Sequence, residues 1–133
     1  MRIFPSTEPV DIGRRRASGG NGVGVRMIFD FDQLRSYTLG DRVLEDEVFS
    51  LFEDGARGYL DTLAAEMATG GSVWRRAAHG FKGSAANLGA AALAAELAAA
   101  EALDMAAPEA RAQALHRIAH MFEHSCAVFR SRP

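Results

Sequence analysis

At 133 residues the chain is long enough for one domain with a real hydrophobic core, and 48% hydrophobic against 24% charged residues is a globular composition. A net charge of -2 lacks the basic footprint of a general nucleic-acid or membrane-surface binder. The single cysteine, Cys126, excludes an internal disulfide and a multi-cysteine metal site.

The N-terminal "MRIFPSTEPV" has no apolar core of the kind a signal peptide needs, and no apolar run reaches the ~20 residues of a bilayer span, so a cytoplasmic location is expected. "DIGRRRASGGNGVGVR" mixes three consecutive arginines with glycine, serine and asparagine without periodicity, which predicts a flexible tail over residues 1–26. From there to residue 133 the pattern is helical. Phe31, Leu34 and Leu39 mark a short first helix that Gly40 ends. Asp41 is placed to cap a long second helix with an apolar stripe of Leu44, Val48, Leu51, Phe52, Tyr59, Leu63 and Met67. Thr69-Gly70-Gly71 closes it, and Ser72 is the expected cap of the third helix, which Gly89 ends. The fourth runs through Leu93, Leu97 and Leu103. Pro108 opens a fifth, with Leu115, Ile118, Phe122, Cys126 and Phe129 along one side. Cys126, beside Val128 and Phe129, reads as a buried thiol. The fold class expected is all-α, an antiparallel four-helix bundle with an additional short N-terminal helix.

The third helix, "WRRAAHGFKGSAANLGA", carries a histidine and glycines that a plain bundle helix does not need. At about 100° per residue, Trp74, Ala77, Ala78, Phe81, Ala85 and Leu88 cluster on the side opposite His79 and form the core stripe. Lys82 and Arg75 flank His79 at about 300° and 320°, Gly83 and Arg76 at about 40° and 60°, and Ala86 lies nearly beneath it. His79 is therefore predicted to be exposed among cations, with Gly83 leaving open space beside it. Imidazole is a good nucleophile near neutral pH. With Lys82 nearby to offset negative charge, the arrangement suits transient capture of a phosphoryl group.

The same residues carry a resemblance. "AHGFKGSAANLGAAALAAELAAAE", residues 78–101, resembles the signature of histidine-containing phosphotransfer (HPt) domains. His79, Phe81, Lys82, Gly83, Ser84, Ala85, Leu88, Gly89, Leu93 and Glu101 stand in register with it. "FDQLRSYTLGDRVLEDEVFSLFED" is similar to the region upstream of that motif, so the likeness spans roughly residues 29–129. The family more often has leucine where Phe81 stands, and Gly80 is unusual. The resemblance implies a helical carrier that relays phosphoryl groups between aspartates of response-regulator receiver domains in two-component signalling. His79 would be phosphorylated at Nε2, Lys82 would stabilise the phosphoryl oxygens, and Gly83 would admit the receiver. Ser84 is at most a weak contact. Arg75, Arg76 and Ala86 are added from geometry as docking positions, the arginines drawing in an acidic pocket.

On this reading the chain has no intrinsic cofactor, because the receiver partner brings Mg2+. It has no Gly-rich nucleotide loop and is not expected to act as an ATP-dependent kinase. Its partners would be receiver domains and a (hybrid) histidine kinase, and it would be a monomer without nucleic-acid or membrane partners. Competing readings are a receiver-binding adaptor without phosphotransfer, a metal-binding bundle and a kinase dimerisation helix. The metal reading rests on His116, His120 and His124, which recur every four residues but drift away from the core stripe, so a solvated polar face is expected there instead. The kinase reading lacks the acidic residue and proline that typically follow the histidine.

Overall fold

The computed structural model describes residues 28–133, and the expected tail over residues 1–26 lies outside them. The described chain is all-helical: α1 Phe31–Thr38, α2 Arg42–Glu66, α3 Gly71–Leu88, α4 Ala91–Glu101 and α5 Pro108–Arg130. None of these helices is long and apolar enough to cross a membrane. α3 packs against both α2 and α4, α4 packs against α5, and α1 lies against α2 and α3.

The α1–α2 corner follows local chemistry. The Asp30 carboxylate accepts from the Gln33 amide and Asp41 from that of Leu44, each at 3.2 Å, which satisfies amides that lack an intrahelical partner. Leu39 was expected on the apolar side of α1. It instead ends the helix at φ 54°, a left-handed conformation rare outside glycine, and is 89% exposed.

α2 is turned about its axis relative to the expected stripe. Phe52 and Leu63 point inward as expected, but Glu45, Phe49 and Ala56 join them while Leu44 and Leu51 face outward. Phe49 decides the rotation. Its ring stacks on Phe129 of α5 with centroids 3.9 Å apart and also meets Phe29 and Phe52. The rotation carries the Glu45 carboxylate into the interior, where Arg132 donates to it at 2.8 Å and the Thr38 hydroxyl at 3.2 Å. A buried carboxylate is tolerable only with such partners.

α3 starts two residues earlier than expected. Gly70, not Ser72, occupies the cap, at φ 67°, and Ser72 is exposed. A Cβ at Gly70 would run into the Asp104 carbonyl and the Arg111 guanidinium. That guanidinium is buried without a carboxylate. It donates instead to the carbonyls of Met67 and Ala68, where α2 ends, and of Leu103, Asp104 and Ala106, beyond the end of α4. Arg111 thus uses up carbonyls that helix termini leave unpaired.

Gly89 ends α3 as expected, at φ 105°. Its carbonyl accepts from the Asp30 amide at 2.6 Å, tying the start of α1 to the end of α3. α4 stops at Glu101, so Leu103 lies in the following turn, half-buried. Trp74 Nε1 donates to the Ala100 carbonyl at 2.8 Å and fixes how far α4 slides along α3. Pro108 opens α5 as expected. Cys126 is buried, and burial pushes its thiol up to about 11, helped by the nearby Glu53 carboxylate.

Candidate functional site

All six residues of the expected α3 core stripe are buried: Trp74, Ala77, Ala78, Phe81, Ala85 and Leu88. Because that face is fixed by packing, the opposite face is presented to solvent, and the His79 side chain there is 67% exposed. Its Nδ1 lies 3.0 Å from Oε2 of Glu101, the last residue of α4. The other oxygen of the same carboxylate accepts from Lys82 Nζ at 2.7 Å. One carboxylate therefore joins two residues of the α3 face.

The Glu101 carboxylate selects the tautomer of the neutral ring. The Lys82 hydrogen bond holds the Glu101 carboxyl below its ordinary range; partial burial opposes this and the His79 hydrogen bond adds to it. An ionised carboxylate has no proton to give, so Nδ1–H is the donor, and in the neutral ring Nε2 then carries the in-plane lone pair. Position 82 supplies a cation as expected, but its ammonium is engaged with Glu101 rather than projecting alone.

The remaining expected site residues divide between two flanks. Arg75 lies on the α4 side and pairs with Asp104 at 2.8 Å. Arg76, on the other side, is exposed and has no ion pair among the described residues. Gly83 stands in open space: a Cβ there would meet nothing within 4 Å. Ala86 is exposed, while its carbonyl accepts from Gln33 Nε2 at 2.6 Å. Ser84 is half-buried.

Two residues that the sequence did not single out by role complete the site. Glu101 sits 22 positions after His79, and only the packing of α4 on α3 brings it to the imidazole. Tyr59 of α2 stacks on Phe81 with centroids 5.4 Å apart and rings 11° from parallel. Its hydroxyl would be 2.8 Å from a Cβ at position 80. That contact is the reason for Gly80: the residue beside His79 has no side chain because the phenol occupies its space.

His116, His120 and His124 are exposed along α5. The first two border a shallow cavity of about 280 Å³ with Glu96, Arg117 and Met121, and Glu96 is paired there with Arg117 at 3.2 Å. Among the described residues no three His, Cys, Asp or Glu side chains are gathered as a metal ion would require. No family model, no curated protein and no solved structure matches the chain.

Proposed function

We propose that this chain is a histidine phosphotransfer protein, an antiparallel four-helix bundle of α2 to α5 with α1 as the additional short helix. His79 takes a phosphoryl group from an aspartate of one response-regulator receiver domain and passes it to another. The observation that carries the reading is the Nδ1–H···Glu101 bond, which leaves Nε2 as the nucleophile on an exposed ring next to the open Gly83. The motif resemblance over residues 78–101 supplies the choice of phosphoryl group and partner.

The Nε2 lone pair forms the N–P bond while the P–O bond of the partner's acyl phosphate breaks, its electron pair staying on the aspartate oxygen. The ring gains positive charge in that step, and the Glu101 carboxylate at Nδ1 stabilises it. Lys82 is one short side-chain movement from exchanging a Glu101 oxygen for a phosphoryl oxygen. The reverse sequence returns the group to a second aspartate. The partner contributes Mg2+ and most of the charge neutralisation, and this chain contributes position and an oriented nucleophile. The proposal includes monomeric behaviour, a cytoplasmic location and a (hybrid) histidine kinase upstream.

The test is transfer of labelled phosphate from a phosphorylated receiver domain to wild type and to His79→Gln. Label on the wild type alone supports the assignment. Equal label on both chains removes His79 from it, and stable binding of the receiver without label turns the reading into a receiver-binding adaptor.

A further inference from the structure

Three cations stand around His79 on α3, and their engagements differ. Lys82 donates to Glu101 at 2.7 Å, and Arg75 pairs with Asp104 at 2.8 Å. Arg76 is exposed and has no ion pair among the described residues.

The direction of the imidazole separates them further. A helical side chain lies over the turn N-terminal to its own Cα, so the His79 ring covers the turn that carries Arg75 and Arg76. Cβ atoms three or four positions apart on one helix face are about 5–6 Å from each other, within the reach of an arginine. Nδ1 is held on the α4 side by Oε2 of Glu101 at 3.0 Å. The two ring nitrogens point to different sides, so Nε2 faces away from that carboxylate. Arg75, at about 320°, stands on the α4 side with Asp104, whereas Arg76, at about 60°, stands on the other. Arg76 is thus the cation on the side to which Nε2 is turned.

A phosphoryl group on Nε2 brings close to two negative charges. To meet them, Lys82 must give up its bond to the carboxylate that also holds Nδ1. Arg75 must give up Asp104. Arg76 breaks no ion pair, and its planar fork can donate two parallel N–H···O bonds to a phosphoryl group. We propose that Arg76 is the phosphoryl-binding residue of the site. Its guanidinium takes oxygens of the group on Nε2 while the Lys82–Glu101–His79 link stays intact. The exchange open to Lys82 is then a second contact, not the first. The guanidinium keeps all its protons; the N–P bond forms and the donor's bond to phosphorus breaks, the electron pair of that bond leaving with the donor. This inference rests on the reading of His79 as a phosphoryl carrier. It goes further in giving Arg76 a contact with the reacting group, beyond long-range attraction for an acidic partner.

The experiment uses phosphoramidate, a small donor that needs no docking surface, on the full chain. The signal of His79 is identified by its absence from His79→Gln, and phosphorus NMR follows the ionisation of the bound group against pH. A cation at the oxygens favours the dianion. Arg76→Gln is therefore expected to move that titration midpoint up by about half a pH unit and to slow labelling about three- to fivefold, the range of an exposed charge pair. Arg76→Lys is expected to recover part of both effects, and Arg75→Gln to leave both as in wild type. Unchanged titration and labelling in Arg76→Gln overturn the contact; slower transfer from a phosphorylated receiver in that same variant then makes Arg76 a docking residue only. Equal effects of Arg75→Gln and Arg76→Gln also overturn it, because they reveal a diffuse field and not one contact. A wild type that takes no label on His79 from phosphoramidate or from a receiver overturns the phosphotransfer reading itself, and the Arg76 contact with it.

Discussion

The two flanks of His79 are built on opposite plans. Toward α4 everything is tied: Glu101 holds both the imidazole and Lys82, and Asp104 holds Arg75. Toward α2 the surface is lower: among the described residues Gly83 and Gly55 stand in open space, and Gly80 is crowded by Tyr59 from beneath. The contrast separates two requirements of a group-transfer nucleophile. The ring must be held in one tautomer and orientation, which needs fixed polar partners. It must also be reachable by a second macromolecule, which needs a low surface. On the proposed reading, α3 divides these two requirements between its neighbours.

The sharpest way to break the comparison is to remove what both flanks serve. His79→Gln is expected to abolish labelling from a phosphorylated receiver while circular dichroism stays helical. Next in size is Gly83→Glu, which places bulk and negative charge beside the ring. Transfer is expected to fall by about a hundredfold or more with the helical spectrum retained. A variant that transfers at the normal rate would remove access as the reason for this glycine.

The tied flank is tested by Glu101→Gln, expected to slow phosphorylation by about tenfold by loosening the control of Nδ1. The same substitution should change the pH dependence of stability. The folded-state carboxyl is held below its ordinary 4.5, so its contribution is present above that value and is lost as pH falls through the depressed one. Urea midpoints of wild type and variant should therefore differ at pH 7 and converge in acid. Equal midpoints at both pH values would mean that the Lys82–Glu101–His79 link contributes nothing in solution.

The smallest effect is expected from Gly80→Ala. Alanine gains about 1 kcal/mol of helix propensity, and the clash with the Tyr59 hydroxyl costs about 1–3 kcal/mol. A net loss of about 1 kcal/mol in a denaturant titration is expected. Measured against Tyr59→Ala alone, the double variant Gly80→Ala with Tyr59→Ala should show the propensity gain. If Gly80→Ala alone is stabilising, the Tyr59 contact is not what requires glycine.

Much of α3 was legible because its information is local. The angular spacing of Trp74, Phe81 and Leu88 fixes the buried face, and with it the exposure of His79 and the openness at Gly83. Caps behaved similarly: Asp41 and Gly89 act within a few residues of themselves. α2 was less legible. A helix with apolar residues on more than one side has several plausible rotations, and the choice was made by Phe129 and Arg132 from the other end of the chain. Ser72 failed as a cap for the same reason, because Arg111 and Asp104 require Gly70 at that corner.

By itself the sequence determined an all-helical fold over the described residues, the inward stripe of α3 and a histidine turned to solvent beside a residue without a side chain. Periodicity and short-range sterics suffice for those. Only the tertiary structure decided that Glu101 reaches Nδ1 and occupies Lys82, that Arg75 is paired while Arg76 has no ion pair among the described residues, and that Gly80 answers to Tyr59. Each depends on where one helix axis lies relative to another. That position is set by summed packing contacts such as the Trp74–Ala100 hydrogen bond and the Phe49–Phe129 stack, which no local pattern encodes.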